Sequence, residues 1–323
     1  MNALITGGTG FIGSHLAESL HRKGWKLRII AKDKMFGDHL GADVVYADLR
    51  DCDALADALR DVDIVFHLAG LTRARRNSDY YLANHLMTRD LLDACIRHGS
   101  HINRFVYVSS LTAVGPRRGG EAITESTDYH PVSHYGRSKM LAEIEVMNAA
   151  SQLPVTIVRP SAVYGPRDRD FFRYFKMIRS GVELLLGSGT QLLNLVHVGD
   201  LVRGIELAAS HPDGVNETFF IGSETDYRSD EICNSIAVAM NRRPLVLHLP
   251  VAVIYLTGLL GECAGRIARR EVFFNVQKVR EAVQRAWSCS IAKAQGTLGF
   301  EPRYSLGSGM IGTYDWYIEN GWL

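Results

Sequence analysis

The first half of this chain switches repeatedly between two hydrophobic rhythms. Asn2-Ala3-Leu4-Ile5-Thr6 is a short apolar run, and Ser14 to Arg22 carries helical periodicity. The next strand is Lys26 to Ala31. Val44-Val45-Tyr46-Ala47 leads to Asp48-Leu49, and Asp51 to Leu59 reads as a helix. Ile64 to Gly70 is a buried-strand pattern that ends in a glycine turn. Asp79 to His98 predicts a long helix and Phe105 to Ser109 a further strand. Strands and helices in this alternation predict an α/β fold with a doubly wound parallel sheet. Ligands of such sheets bind beyond the carboxyl ends of the strands. Gly7, Asp48, Gly70 and Ser110 all fall at those ends.

The first strand-to-helix junction carries chemistry. Gly7-Gly8-Thr9-Gly10-Phe11-Ile12-Gly13 contains G-x-G-x-x-G at Gly8, Gly10 and Gly13, with Gly7 added. Glycines here permit a tight turn and let backbone N–H groups approach a pyrophosphate that faces the helix N-terminus. The placement predicts a dinucleotide-binding Rossmann domain and an NAD(P) cofactor. In NAD-selective folds an acidic residue at the end of the second strand holds the ribose 2′-OH. Here that strand ends Ala31-Lys32-Asp33. Lys32 would accommodate a 2′-phosphate, which favours NADP over NAD. Lys32 can equally be an exposed lysine at a strand end, and Asp33 could still turn inward.

Composition narrows the function. The 323 residues are 46% hydrophobic, enough for a sizeable core, with a net charge of +1 from 36 basic and 35 acidic residues. Nothing here calls for nucleic acid or an anionic membrane surface. The five cysteines, Cys52, Cys95, Cys233, Cys263 and Cys289, form no C-x-x-C pair. They read as thiols of a reducing, cytoplasmic protein, with no metal site. The chain starts directly into the first strand, which leaves no room for a signal peptide. The apolar run Leu245 to Gly261 includes His248 and Pro250. It falls short of a membrane span and reads as a core or pocket helix.

Tyr135-Gly136-Arg137-Ser138-Lys139 places a phenol and a cation four residues apart on one helix face. A neighbouring positive charge favours the phenolate, so this tyrosine can give or take a proton in oxidation of an alcohol or reduction of a ketone.

Taken together, the motifs resemble the extended branch of the short-chain dehydrogenase/reductase superfamily, with its epimerases, dehydratases and hydroxysteroid dehydrogenases. The matching stretches are T-G-G-T-G-F-I-G at 6–13, D-L at 48–49, H-L-A-G at 67–70 and S-S at 109–110. Y-G-R-S-K at 135–139, R-P-S-A-V-Y-G-P at 159–166, V-H-V-G-D at 196–200 and L-G-F-E-P at 298–302 complete the set. The resemblance implies catalytic roles for Ser110, which would orient the substrate oxygen, Tyr135, the proton donor or acceptor, and Lys139. Lys139 would grip the nicotinamide ribose and favour the phenolate. It implies cofactor contacts from Gly7, Gly10, Phe11, Ile12, Gly13, Asp48, Leu49, Leu68, Ala69, Gly70, Asn84, Tyr135, Lys139 and Pro160.

Departures from the family pattern bear on the substrate. Dehydratases of this branch place Asp-Glu after the hydroxyl residue, where this chain has Leu111-Thr112. Sugar-nucleotide epimerases show an asparagine where Ala162 stands and an arginine where Leu193 stands. A diphosphate needs charge-assisted partners, which Leu193 cannot supply. Arg167, Arg169 or Arg280 could compensate. Arg73, Arg75 and Arg76 could meet an anionic group or form a basic loop.

The expectation is an NAD(P)-binding Rossmann domain over 1–165 and a smaller, mainly substrate-binding domain over 166–323. Segments near 197–222 would return to the Rossmann sheet. The expected activity is hydride transfer between a ketone and a secondary alcohol, on a hydrophobic small molecule favoured over a sugar nucleotide. The alternatives are a nucleotide-sugar epimerase with tightly bound NAD and a non-catalytic nucleotide-binding sensor or assembly subunit. The helices near 79–98 and 134–152 could pair two copies as a homodimer or simply pack on the sheet.

Overall fold

Seven short apolar strands pair side by side to make the centre of the molecule. They are β1 (Asn2–Thr6), β2 (Lys26–Ala31), β3 (Asp43–Tyr46), β4 (Ile64–His67), β5 (Arg104–Val108), β6 (Val155–Pro160) and β7 (Glu217–Ile221). A computed structural model gives this fold and describes residues 1–31, 41–268 and 276–323. Every pairing in the sheet is parallel, in the order β7-β6-β5-β4-β1-β2-β3. The strand order reverses between β1 and β4, where Thr6 stands opposite His67. That reversal opens a crevice at the carboxyl ends of the strands, the ligand position of an open α/β sheet.

The sheet is buried on both faces: every residue of β4, β5 and β6 is buried, and the polar Arg159 of β6 is paired with Glu143. One face packs Leu16, Leu20, Ile205 and Phe220 with residues from the carboxyl-terminal part such as Trp287 and Phe300. The other face packs Leu55, Leu91, Phe105 and Tyr107. A third core joins Tyr164, Phe175, Ile236 and Tyr317 in the carboxyl-terminal half. β7 comes back to pair with β6, and the helix Val198–Ser210 packs on the sheet.

Two segments differ from expectation. The predicted helix over 79–98 is three consecutive pieces: Asn77–Tyr81, a π-helical turn Leu82–Leu86, and Met87–His98. The apolar run Leu245 to Gly261 is not one helix. Leu245–Leu249 is a strand paired in parallel with Val182–Leu186, and the helix Val251–Ala268 follows Pro250. Proline lacks an N–H and fits the start of a helix, not its interior, so the run divides there. Among the described residues no helix is long and apolar enough to cross a membrane.

Candidate active site

The glycine loop is held by contacts that leave no room for side chains. Gly7 ends β1 with φ +72°, and a Cβ on it would lie 2.6 Å from the backbone N of Ala69. The ends of β1 and β4 therefore touch backbone to backbone. A Cβ on Gly13 would sit 2.1 Å from Gly7 O, so the first turn of the helix Phe11–Arg22 lies directly on the loop. Gly10 N donates to Gly7 O at 3.0 Å and closes the turn. No side chain caps this helix and its first turn holds no acid, which suits an anion at its N-terminus. This cradle fits a dinucleotide pyrophosphate, with Gly7, Gly10, Phe11, Ile12 and Gly13 as the residues that would hold it.

The other predicted cofactor residues surround the same crevice. Leu49 is buried, while Asp48 takes two hydrogen bonds from the Arg50 guanidinium at 3.0 and 2.7 Å. Leu68, Ala69 and Gly70 follow β4; Leu68 N donates to Thr6 O and Ala69 N to Thr6 Oγ1. Pro160 ends β6, opposite Ile221. Lys32 lies outside the described residues. Asn84 sits on the π-helical turn with no exposed surface. Its Oδ1 accepts from Leu71 N at 2.6 Å, and its Nδ2 donates to Leu71 O and to Ser138 Oγ. It acts by tying the strand-end turn to the helix that carries Tyr135.

That helix, His134–Asn148, starts at Ser133, whose Oγ accepts from Gly136 N at 3.0 Å. Gly136 explains the glycine of the Y-G-R-S-K motif: a Cβ there would lie 2.3 Å from Thr112 O. The close approach brings the helix start against the short helix Leu111–Val114, which Ser110 caps. Ser110 is thereby placed to hydrogen-bond the Tyr135 phenol. Thr112 donates to Ser110 Oγ through both its N–H and its hydroxyl, at 3.2 and 2.8 Å. The Ser110 proton is left to point at Tyr135 or at an oxygen bound beside it.

Burial raises the Tyr135 phenol pKa above its ordinary value, while Lys278 and the Ser110 hydrogen bond pull it back. Lys139, one turn along the helix, is 4% exposed. Its Nζ donates to Val108 O at 2.7 Å and lies 4.4 Å from the Tyr107 ring centroid. Burial brings its pKa down to about 7, against a smaller upward pull from Glu143. Its ammonium also lies near the Gly70 turn, where a Cβ on Gly70 would be 3.9 Å away. Ser110, Tyr135, Lys139 and the strand-end turn thus meet in one place.

Several supporting residues are given no role by the sequence motifs. His67 is fully buried, with its pKa lowered to about 3 by burial and then by Lys139. Its Nδ1 meets Thr6 Oγ1 at 2.6 Å and its Nε2 meets Thr88 Oγ1 at 2.8 Å. Because Thr88 Oγ1 donates to Asn84 O, the ring donates from Nε2 and accepts at Nδ1. This chain pins β1, β4 and the Asn84 turn together under the crevice. Further along the helix, Glu143 accepts three hydrogen bonds from Arg159 of β6 and one from Tyr129. Helical spacing offered a signal for Glu143, one turn beyond Lys139. Nothing offered one for Lys278, which comes from the carboxyl-terminal half.

Residues 3–222 match the model of the NAD dependent epimerase/dehydratase family. The chain belongs to that family. The same assignment makes it an enzyme of the NAD-dependent epimerase/dehydratase type, on a short-chain dehydrogenase/reductase fold. Over 323 residues it is 29% identical to the ceramide reductase of Caulobacter vibrioides, covering 99% of this chain and 95% of that protein. It is 26% identical to the N-acetyl-alpha-D-glucosaminyl-diphospho-ditrans,octacis-undecaprenol 4-epimerase of Escherichia coli O157:H7, covering 96% and 93%. A solved structure of MoeE5 in complex with UDP-glucuronic acid and NAD is 27% identical, with a TM-score of 0.80 over 99% of this chain and 100% of that one.

Proposed function

We propose that this family member is an NAD(P)-dependent oxidoreductase that interconverts a ketone and a secondary alcohol on a hydrophobic substrate. The observation that carries the reading is the Ser110–Tyr135 pair, beside the buried Lys139 and next to the glycine cradle. When bound, the nicotinamide supplies or accepts a hydride. Ser110 orients the substrate oxygen and Tyr135 moves its proton. Lys139 holds the ribose side of the site.

Features around the pair support a simple redox reaction. Leu111 is buried and Thr112 is hydrogen-bonded to Ser110, so neither offers the acid and base that elimination of water needs. Leu193 is packed between two hydrophobic cores, where a charged clamp for a diphosphate would be desolvated. Arg167 is engaged by Glu18 and Ser14, and Arg73 by Asp170. Leu245, Val246, Leu247, Val253, Leu256 and Leu259 are exposed on the strand Leu245–Leu249 and the helix Val251–Ala268. That helix packs against Val276–Ala282, which in turn bonds the start of the Tyr135 helix. Exposed apolar residues on an element that packs against the neighbour of the Tyr135 helix favour a hydrophobic ligand. The similarity to a ceramide reductase points the same way. On this reading residues 1–165 form the cofactor part and 166–323 mainly the substrate part, and the enzyme works in the cytoplasm.

A second reading, a nucleotide-sugar epimerase with tightly held NAD, draws on the MoeE5 complex with a UDP sugar and NAD. The two separate cleanly. With long-chain ketones and reduced cofactor, the reductase gives stoichiometric loss of reduced nicotinamide absorbance. The epimerase carries NAD through purification, turns over UDP sugars and shows no net change. Tyr135→Phe should cut turnover at least ~100-fold with cofactor binding retained. Near-native turnover in that variant would remove Tyr135 as the proton carrier.

A further inference from the structure

One polar cluster beside Tyr135 takes no part in the proton transfer described so far. The helix Val276–Ala282 lies over the first turn of the Tyr135 helix and bonds it at two successive residues. Gln277 Oε1 accepts from His134 N at 3.1 Å, and Glu281 Oε1 accepts from Ser133 Oγ at 2.6 Å. The second oxygen of Glu281 takes Lys278 Nζ at 2.8 Å. Trp287 Nε1 donates to Glu281 O and anchors the end of the helix. Lys278 is held in turn with its Nζ 5.7 Å from the centroid of the Tyr135 ring. Burial is the largest single influence and opposes its charge, but Glu281, Tyr135 and Tyr80 together keep its pKa above the usual lysine value.

The charges around Tyr135 are few enough to sort. Lys139, on the same helix, is directed at Val108 O. His134 meets the Tyr81 hydroxyl through Nδ1, and burial, then Arg280 and Arg137, keep its pKa low. The Tyr80 ring lies 6.2 Å from the Tyr135 ring and disfavours a second negative charge, as does Glu281. Tyr107 lies beyond Lys139 and is itself held neutral by burial. Among the described residues, Lys278 is the cation from the carboxyl-terminal half that bears on the phenol.

We propose that Lys278, clamped by Glu281, is a positioning residue through which the carboxyl-terminal half completes the acid–base site, its ammonium facing Tyr135 and stabilising the anionic form. This rests on Tyr135 as proton carrier. A cation within ~4–6 Å moves a neighbouring acid by ~1–3 pH units. The side chain of Lys278 is 28% exposed and is shared with Glu281, so a shift below that range is expected. Glu281 has the opposite sign, since its carboxylate raises what Lys278 lowers.

The test follows the Tyr135 titration by NMR in the full-length, cofactor-free chain, with tyrosine isotope-labelled at the phenolic carbon and the signal assigned by its loss in Tyr135→Phe. Lys278→Met should raise the midpoint by about half to one pH unit. Lys278→Arg should restore it, and Glu281→Gln should lower it. The alkaline limb of ketone reduction should move the same way in each variant. Where Lys278→Met does not fold, Lys278→Gln reads the same shift. Shifts of one sign in the Lys278 and Glu281 variants, or none in either, would overturn the proposal. Full turnover in Tyr135→Phe would instead overturn the proton-carrier reading and leave the titration result standing.

Discussion

The two sides of the Tyr135 site are made of different material. On the amino-terminal side the site is largely backbone: Gly7 and Gly13 come so close to neighbouring backbone that no Cβ fits, and a Cβ on Gly70 would meet Asn84 Oδ1 at 2.8 Å. Beneath it run buried hydrogen bonds from Thr6 through His67 to Thr88, and the Glu143–Arg159 pair locks the Tyr135 helix to β6. On the carboxyl-terminal side the site is side chain: Lys278 and Glu281 meet Tyr135 and Ser133. The amino-terminal half presents a shape fixed by close backbone packing. The other half presents side chains that can be revised residue by residue with less disturbance of the fold.

The comparison breaks most visibly at the buried ion pair. Glu143→Ala leaves the Arg159 guanidinium, 4% exposed, without its carboxylate. Unfolding in urea should show a loss of ~3–5 kcal/mol. Leu-to-Met-like tolerance at that position would mean the amino-terminal half is less rigid than its packing implies. Next in size is Gly13→Ala, whose Cβ would collide with Gly7 O. A cost of ~1–3 kcal/mol in dinucleotide affinity, about 5–150-fold, should appear in fluorescence titration.

Lys139 gives a smaller effect with a definite sign. Its folded pKa of about 7 is below the unfolded lysine value of ~10.4. Between those values the unfolded chain binds more protons, so this group makes stability rise with pH; below about 7 both states are charged and the burial cost is complete. Buried thiols such as Cys95, raised by burial, act in the opposite direction. The difference between wild type and Lys139→Met isolates the lysine: the gap should narrow by up to ~1.4 kcal/mol per pH unit as pH rises through this window. A gap independent of pH would mean the amine is not buried as a charge. Smallest of all, Leu256→Ser, at an exposed position, should change stability by no more than ~0.5 kcal/mol. It should nevertheless raise KM for long-chain ketones more than for short ones. Equal effects on both would remove the apolar surface from substrate recognition.

Legibility in the sequence follows the same divide. β1 and β2 begin and end where the sequence places them, because their inward-facing residues, Ala3 to Ile5 and Leu27, Ile29 and Ile30, are apolar and buried. The glycine loop was readable because a backbone site needs glycine at set spacings. Ser110 and Tyr135 were readable through local motif alone, yet the reason they meet, Gly136 pressed on Thr112 O, is a contact between two elements. The π-helical turn at Leu82–Leu86 was not readable, since one extra residue per turn leaves the apolar pattern nearly unchanged. The run from Leu245 looked like one helix because composition was weighed above Pro250, and only pairing with Val182–Leu186 makes its first part a strand.

What the sequence determined by itself is local: the alternation of strand and helix, the glycine cradle, and a tyrosine with a lysine one turn away. These depend on periodicity and on spacings of a few residues. Which cation faces the tyrosine was decided only by the tertiary structure. Glu281 reaches Ser133 across 148 positions of chain, and it brings Lys278 with it. No periodicity encodes such a meeting, because it is created by folding one half of the chain over the other.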